Sequence, residues 1–148
     1  MNTATLAPVA RVTRRLAATP EQVFDAWTDP QKFRHWMAPG DTHVSSARAD
    51  LRVGGAFEVV MSNSTKDLPH HGVYLAIDRP HRLVFTWESH ATGPEPSVVT
   101  LELKAVEGGT ELILTHEKLP ADQIKGHTWG WTGIGENLEA WLQAGAPS

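Results

Sequence analysis

Eight histidines and no cysteine make up the chain's acid–base and metal-ligating stock beyond its carboxylates. Without thiols there is no disulfide, no thiolate nucleophile and no sulfur-ligated zinc, which suits a cytoplasmic location. The histidines do not form a metal motif. No pair has the H-E-x-x-H spacing, and His70 and His71 are neighbours whose side chains leave a strand on opposite faces. No metal and no cofactor is expected. There is no G-x-S-x-G elbow, and Gly54-Gly55 and Gly108-Gly109 lack the Lys-Ser/Thr that follows a phosphate-binding loop, so both read as turns. Two histidines remain of interest. His116 has the strand parity of Leu112 and Leu114 and should point inward. His127 sits at the N-terminal end of an apolar helical stripe. Either is a single polar handle in an apolar interior, or a histidine satisfied by nearby backbone. His116 is also the candidate acid/base for a cyclase-like or dehydrase-like reaction, which needs one proton-transfer group in a dry pocket. Glu58, Glu88, Glu102 and Glu117 alternate with inward apolar residues and should face outward. No catalytic set is assigned.

The elements that would position these groups fall into three blocks. After Pro120 comes the longest helical stretch. On a wheel of about 100° per residue, Ile124, Trp131, Ile134, Leu138, Trp141 and Leu142 fall within an arc of roughly 100°, the width of a core-facing stripe. Gly126, Gly130, Gly133 and Gly135 interrupt the first half, each at a cost of about 0.8–1 kcal/mol relative to Ala. They serve either close packing, the favoured reading, or a mobile gate over residues 124–135. Trp129 falls opposite the stripe, so it is exposed or covered by another molecule, a second copy of the chain included.

The first block begins with a strand over residues 9–17. Thr19 is a plausible N-cap and Pro20 suits the first helical position. Asp29-Pro30 ends that helix and starts a second short one, closed by Pro39-Gly40.

From residue 43 the period is two. Strands are expected over 43–53, 56–62, 71–77, 82–88, 98–106 and 111–117, with polar loops at 63–69 and 90–96. The 71–77 strand is ambiguous: Val73, Leu75 and Ile77 make one apolar face, Gly72, Tyr74 and Ala76 the other. Short connections favour antiparallel neighbours.

The expected fold class is α+β: a curved antiparallel sheet of about seven strands wrapped around a long C-terminal helix, with two short helices after the first strand. Residues 9–143 form one domain, with residues 1–8 a flexible N-terminal tail and 144–148 a C-terminal tail. Assigning the apolar faces inward places Phe57, Val59, Met61, Phe85, Trp87, Leu101, Leu103, Leu112 and Leu114 opposite Trp131 and Leu138, with His116 and His127 among them. These residues line a ligand cavity or fill a closed core. Ala105 shares the inward parity.

The net charge of −4, with no Lys/Arg cluster beyond Arg14-Arg15, speaks against nucleic acid as a partner. No run approaches the ~20 apolar residues of a membrane span, and the N-terminus lacks the apolar core of a secretory signal.

Several stretches resemble a known family: ATPEQVFDAWTDPQKFRHWMAP (residues 18–39), VGGAFEVVM (53–61), HGVYLAIDRPHRLVFTWE (71–88), GGTELILTHEKLP (108–120) and GW (130–131). Together they resemble the helix-grip fold of the START-like, or SRPBCC, superfamily, which includes the birch-pollen allergen and the polyketide cyclase/dehydrase proteins. They are most similar to its heat-shock protein 90 ATPase activator homologue branch. The resemblance implies binding of a small hydrophobic or amphipathic molecule between sheet and helix. It also leaves open a cyclase/dehydrase-like enzyme and a chaperone-associated protein-binding module.

Overall fold

The protein is described here by a computed structural model covering residues 8–147. Strand β1 (Ala10–Leu16) leads into helix α1 (Pro20–Thr28). The helix starts where a capping box forms: Thr19 Oγ1 accepts from the Gln22 amide at 3.1 Å, and Gln22 Oε1 accepts from the Thr19 amide at 2.9 Å. Asp29 ends it, and the same carboxylate accepts the Gln31 amide at 2.9 Å to start α2 (Pro30–Phe33). Pro30 at the first position of α2 lacks an N–H that the helix would leave unpaired anyway. The pair buries Val23, Phe24, Ala26, Trp27 and Phe33, followed by Trp36 and Met37.

The remaining strands are β2 (His43–Ala49), β3 (Ala56–Ser62), β4 (Asp67–Asp78), β5 (Arg82–Trp87), β6 (Ser97–Val106) and β7 (Gly109–Glu117). They form one curled antiparallel sheet in the order β1-β7-β6-β5-β4-β3-β2. The first strand therefore closes the edge beside the last. The inward faces are as expected: Phe57, Val59, Met61, Leu83, Phe85, Trp87, Val99, Leu101, Leu103, Leu112 and Leu114 are all buried, as are Val84 and Ile113 of the opposite parity.

Three expectations need correction. β4 begins at Asp67, so the 63–69 loop shrinks to a turn in which Asn63 Oδ1 accepts the amides of Thr65 and Lys66, both at 2.9 Å. β2 stops at Ala49, because residues 50–55 turn back on themselves. Ala105 is exposed near the β6–β7 hairpin despite its parity. The ambiguous strand is resolved as well: His70, Gly72 and Tyr74 face inward, while Val73 and Leu75 are exposed. The reason is Phe57, whose ring lies over Gly72. A Cβ there would sit 2.7 Å from the ring and 1.9 Å from the Thr86 carbonyl oxygen.

A 3-10 turn (Ala121–Gln123) leads into α3 (Ile124–Gln143), whose stripe buries Trp131, Ile134 and Leu138 in the sheet's hollow. Its second half is fastened from outside. Arg14 of β1 pairs with Glu139 at 3.0 Å, Asn137 Nδ2 donates to the Ala38 carbonyl at 2.8 Å, and His35 stacks on Trp141. The residues after α3 fold back on it: the Ala146 amide donates to the Trp141 carbonyl at 2.9 Å, and Trp141 Nε1 donates to the Pro147 carbonyl at 3.0 Å. Of the stretch read as an N-terminal tail, residues 1–7 lie outside the described residues, as does Ser148. No helix is long and apolar enough to cross a membrane among the described residues.

Candidate functional site

Tryptophan rings from three elements meet in the interior. Trp27 meets Trp36 at 4.8 Å and Trp131 at 6.1 Å between ring centroids, and Trp131 meets Trp87 at 4.9 Å. Trp27 belongs to α1, Trp87 to β5 and Trp131 to α3. Trp87 borders both of the open spaces beside these rings.

On one side is a void of about 20 Å³, close to the volume one water needs. Trp27, Phe33, Met37, Tyr74 and Leu83 line it together with Phe57, Val59, Phe85 and Trp87. Burial pushes the Tyr74 hydroxyl up to about 12, so it stays protonated. The indole N–H of Trp27 is buried without a hydrogen-bond partner among the described residues.

On the other side is a cleft of about 350 Å³ between the first half of α3 and strands β3 to β5. That volume is at the lower end for a small-molecule pocket. Met61, Leu68, Trp87, Trp131 and Ile134 supply apolar walls; Pro39, Trp129 and Gly130 form part of the remaining lining. No Asp, Glu, Lys or Arg lines it. Three histidines do: His70 on β4, His90 in the loop after β5, and His127 on α3.

The histidines differ in state. His70 is buried, with its ring 5.0 Å from that of Trp87. Its Nδ1 lies 2.9 Å from the Leu68 carbonyl. A carbonyl only accepts, so neutral His70 carries its proton on Nδ1 and leaves a lone pair on Nε2. His127 Nδ1 likewise lies 2.9 Å from a carbonyl, that of Gln123. Burial lowers His70 to about 4, outweighing the bond to Leu68, with a smaller repulsive contribution from His90 and His127.

His116 is placed differently. It is fully buried and committed at both nitrogens. Trp131 Nε1 donates to Nδ1 at 2.9 Å, so the ring proton is on Nε2 and is donated to Ser97 Oγ at 2.7 Å. The Ser97 hydroxyl in turn donates to the Trp87 carbonyl. Burial, with a smaller push from His127, lowers His116 to about 3. It stands edge-on to His127, ring centroids 5.1 Å apart, behind Trp131 rather than in the cleft. Neither nitrogen has a free position for exchanging a proton with a ligand.

The thirteen residues expected around a ligand thus separate into three groups. Met61, Trp87, His127 and Trp131 meet at the cleft. Phe57, Val59 and Phe85 line the small void, which Trp87 also reaches. Leu101, Leu103, Leu112, Leu114, His116 and Leu138 belong to filled core and line neither space. α1 and the C-terminal half of α3 occupy the hollow above β6, β7 and β1 and close it there. Sequence reasoning missed His70, Leu68 and Ile134 as cleft residues. His70 shares parity with Tyr74 and was legible once the inward face of β4 was known.

The glycines of α3 are not equivalent. A Cβ on Gly133 would be 3.4 Å from Pro39, and one on Gly135 would be 3.2 Å from the Arg14 side chain, so both mark close approach. Gly126 lines the cleft with open space around it. Trp129 is 66% exposed, as its wheel position predicts, but its ring edge also covers Gly40, where a Cβ would be 3.1 Å from Cη2.

A comparison with curated proteins finds no match. Among solved structures, a protein of Chromobacterium violaceum superimposes with a TM-score of 0.84 at 26% identity, covering 95% of this chain and 98% of that one. The AHSA1 protein of Silicibacter pomeroyi gives 0.80 at 28%, covering 93% and 99%. An HSP90 activator of Plasmodium falciparum gives 0.74 at 28%, covering 91% and 96%. The family model for activator of Hsp90 ATPase homolog 1-like proteins matches residues 17–143. The chain therefore belongs to the activator of Hsp90 ATPase homolog 1-like family, within the START-like helix-grip superfamily.

Proposed function

We propose that the protein binds a small apolar or amphipathic molecule in the cleft beside the first half of α3. The observation that carries this reading is the cleft itself: about 350 Å³ bounded by Met61, Leu68, Trp87, Trp131 and Ile134, in a hollow otherwise filled by side chains. Burying roughly 200 Å² of apolar ligand surface is worth about 5 kcal/mol before the costs of association. The filled core over β6 and β7 limits the ligand to the cleft end. Acid–base catalysis by His116 is not favoured, because Trp131 and Ser97 occupy both of its nitrogens. The test is native mass spectrometry of protein purified without lipid stripping, followed by extraction. A reproducible bound mass is expected; a uniformly empty protein that also takes up no added apolar probe would overturn the reading.

A second reading, a protein-binding module, is favoured by the exposed ring of Trp129 and by the similarity to the Plasmodium falciparum HSP90 activator. A pull-down with wild type and Trp129→Ala addresses it. Loss of a partner in the variant supports it, and identical captures count against it.

A further inference from the structure

The polar groups on the cleft wall are arranged asymmetrically, and the asymmetry selects among ligands. His70 and His127 each donate from Nδ1 to a backbone carbonyl, Leu68 and Gln123 respectively, over 2.9 Å. In a neutral ring each Nε2 is then an acceptor, and neither has a hydrogen bond to another described group. Trp131, which could have donated to a ligand, gives its N–H to His116. No Asp, Glu, Lys or Arg lines the cleft, so no fixed charge there balances a charged head group.

We propose, resting on the ligand-binding reading above, that the cleft selects neutral molecules carrying a hydroxyl group, an alcohol or phenol on an apolar ring system, with Nε2 of His70 accepting the hydroxyl hydrogen and Nε2 of His127 offering a second acceptor nearer the helix. His70 is the deeper of the two, buried against Trp87. Its burial keeps the ring neutral at physiological pH, which preserves the lone pair and withholds the cation a carboxylate would need. A donor left without an acceptor in such a wall, or an acceptor without a donor, loses its solvation for no return. An ether or hydrocarbon of the same shape therefore leaves the imidazole lone pairs unpaired, and a carboxylate meets the lone pair of neutral His70. Trp87 and Trp131, in contact at 4.9 Å between centroids and tilted by 54°, both line the cleft and offer aromatic surface to a ring.

Calorimetric titration of the full chain with four matched probes tests this: 2-naphthol, 2-methoxynaphthalene, naphthalene and 2-naphthoate at pH 7.5. The expected result is 2-naphthol binding about tenfold more tightly than its methyl ether, with naphthalene weaker than 2-naphthol and naphthoate weakest. His70→Phe keeps an aromatic ring against Trp87 but removes the acceptor, and it should bring naphthol and methyl ether to within about twofold of each other. His127→Leu should narrow the difference less. Equal affinity of wild type for naphthol and its methyl ether, or tighter binding of naphthoate, would overturn the hydroxyl selection while leaving apolar-ligand binding standing. A full preference kept in both variants would overturn the assignment to the imidazoles. No heat from any of the four probes, together with an empty protein by native mass spectrometry, would remove both the selection and the ligand reading. The wild-type comparison needs no variant to fold.

Discussion

The indole N–H of Trp131 points at Nδ1 of His116 from 2.9 Å, and this one bond settles the state of the imidazole. An indole nitrogen only donates, so Nδ1 must stay unprotonated and Nε2 must carry the hydrogen toward Ser97. Protonating His116 would set two N–H groups against each other in a dry interior. The bond also fixes where α3 sits over β7, since it joins the helix to the strand.

Removing the imidazole should therefore cost stability. His116→Leu leaves the Trp131 N–H without an acceptor and is expected to lose about 1–3 kcal/mol at pH 7 in a urea titration. An unchanged midpoint would mean that the Trp131 bond contributes nothing.

The acid limb of stability follows from the same residue and from His70. Their folded values are lowered to about 3 and about 4 from an unfolded value near 6.5. The unfolded chain thus gains protons below pH 6.5 while the folded one refuses them. Stability is fully present above about pH 6.5 and falls as the pH drops toward 4, by up to about 1.4 kcal/mol per unit for each imidazole. His116→Leu should flatten that slope by one histidine's share. A wild-type stability that stays level from pH 6.5 to 4.5 would refute the burial argument.

Gly130→Ala should raise stability by roughly 0.5–1 kcal/mol, because the position is inside α3 and Ala is the better helix former. The added Cβ would meet only Pro39, at 4.0 Å, which is ordinary contact. A lower thermal midpoint would show that the backbone needs glycine there for a reason beyond space.

Gly72→Ala should do the opposite. Its Cβ would fall 1.9 Å from the Thr86 carbonyl oxygen and 2.7 Å from the Phe57 ring, with backbone on one side and a buried ring on the other. A loss above about 3 kcal/mol, or failure to fold, is expected. Near-neutral stability would contradict the close approach of β4 to Phe57.

Amide exchange should divide α3. Residues 124–130 start without a side-chain cap and line the cleft, whereas 137–143 hold Glu139 against Arg14 and Asn137 against Ala38. Faster exchange is expected in the first segment, slowed by saturating 2-naphthol. The boundary falls earlier than the glycine spacing suggests, because Trp131, Ile134 and the contacts at Gly133 and Gly135 already fasten the middle of the helix. Equal protection throughout would eliminate a gate.

What the sequence determined alone was the architecture. Thr19, Pro20 and Asp29-Pro30 act through bonds spanning two to four residues, and the two-residue alternation of Phe57, Val59 and Met61 or of Leu112, Leu114 and His116 reads directly as a face. The face of β4 was not local information. Val73 and Leu75 are as apolar as Tyr74, and it is groups on the two neighbouring strands, the Phe57 ring and the Thr86 carbonyl, that leave no room for a side chain at position 72 on the face that Tyr74 and His70 share. Nor did the chain state which inward residues would meet one another and which would meet space. The wheel and the strand parity say that Leu101, Leu114, Trp87 and Trp131 point inward. Only the placement of α1 and α3 in the curl decides that the first two are covered while the last two border the cleft. The same holds for the histidines. Sequence brought His116 forward as the chemical group, but a donor from another element, Trp131, closed its lone pair and left the open ones on His70 and His127. Periodicity depends on the residue and its neighbours in the chain. A free lone pair depends on what arrives from elsewhere in space.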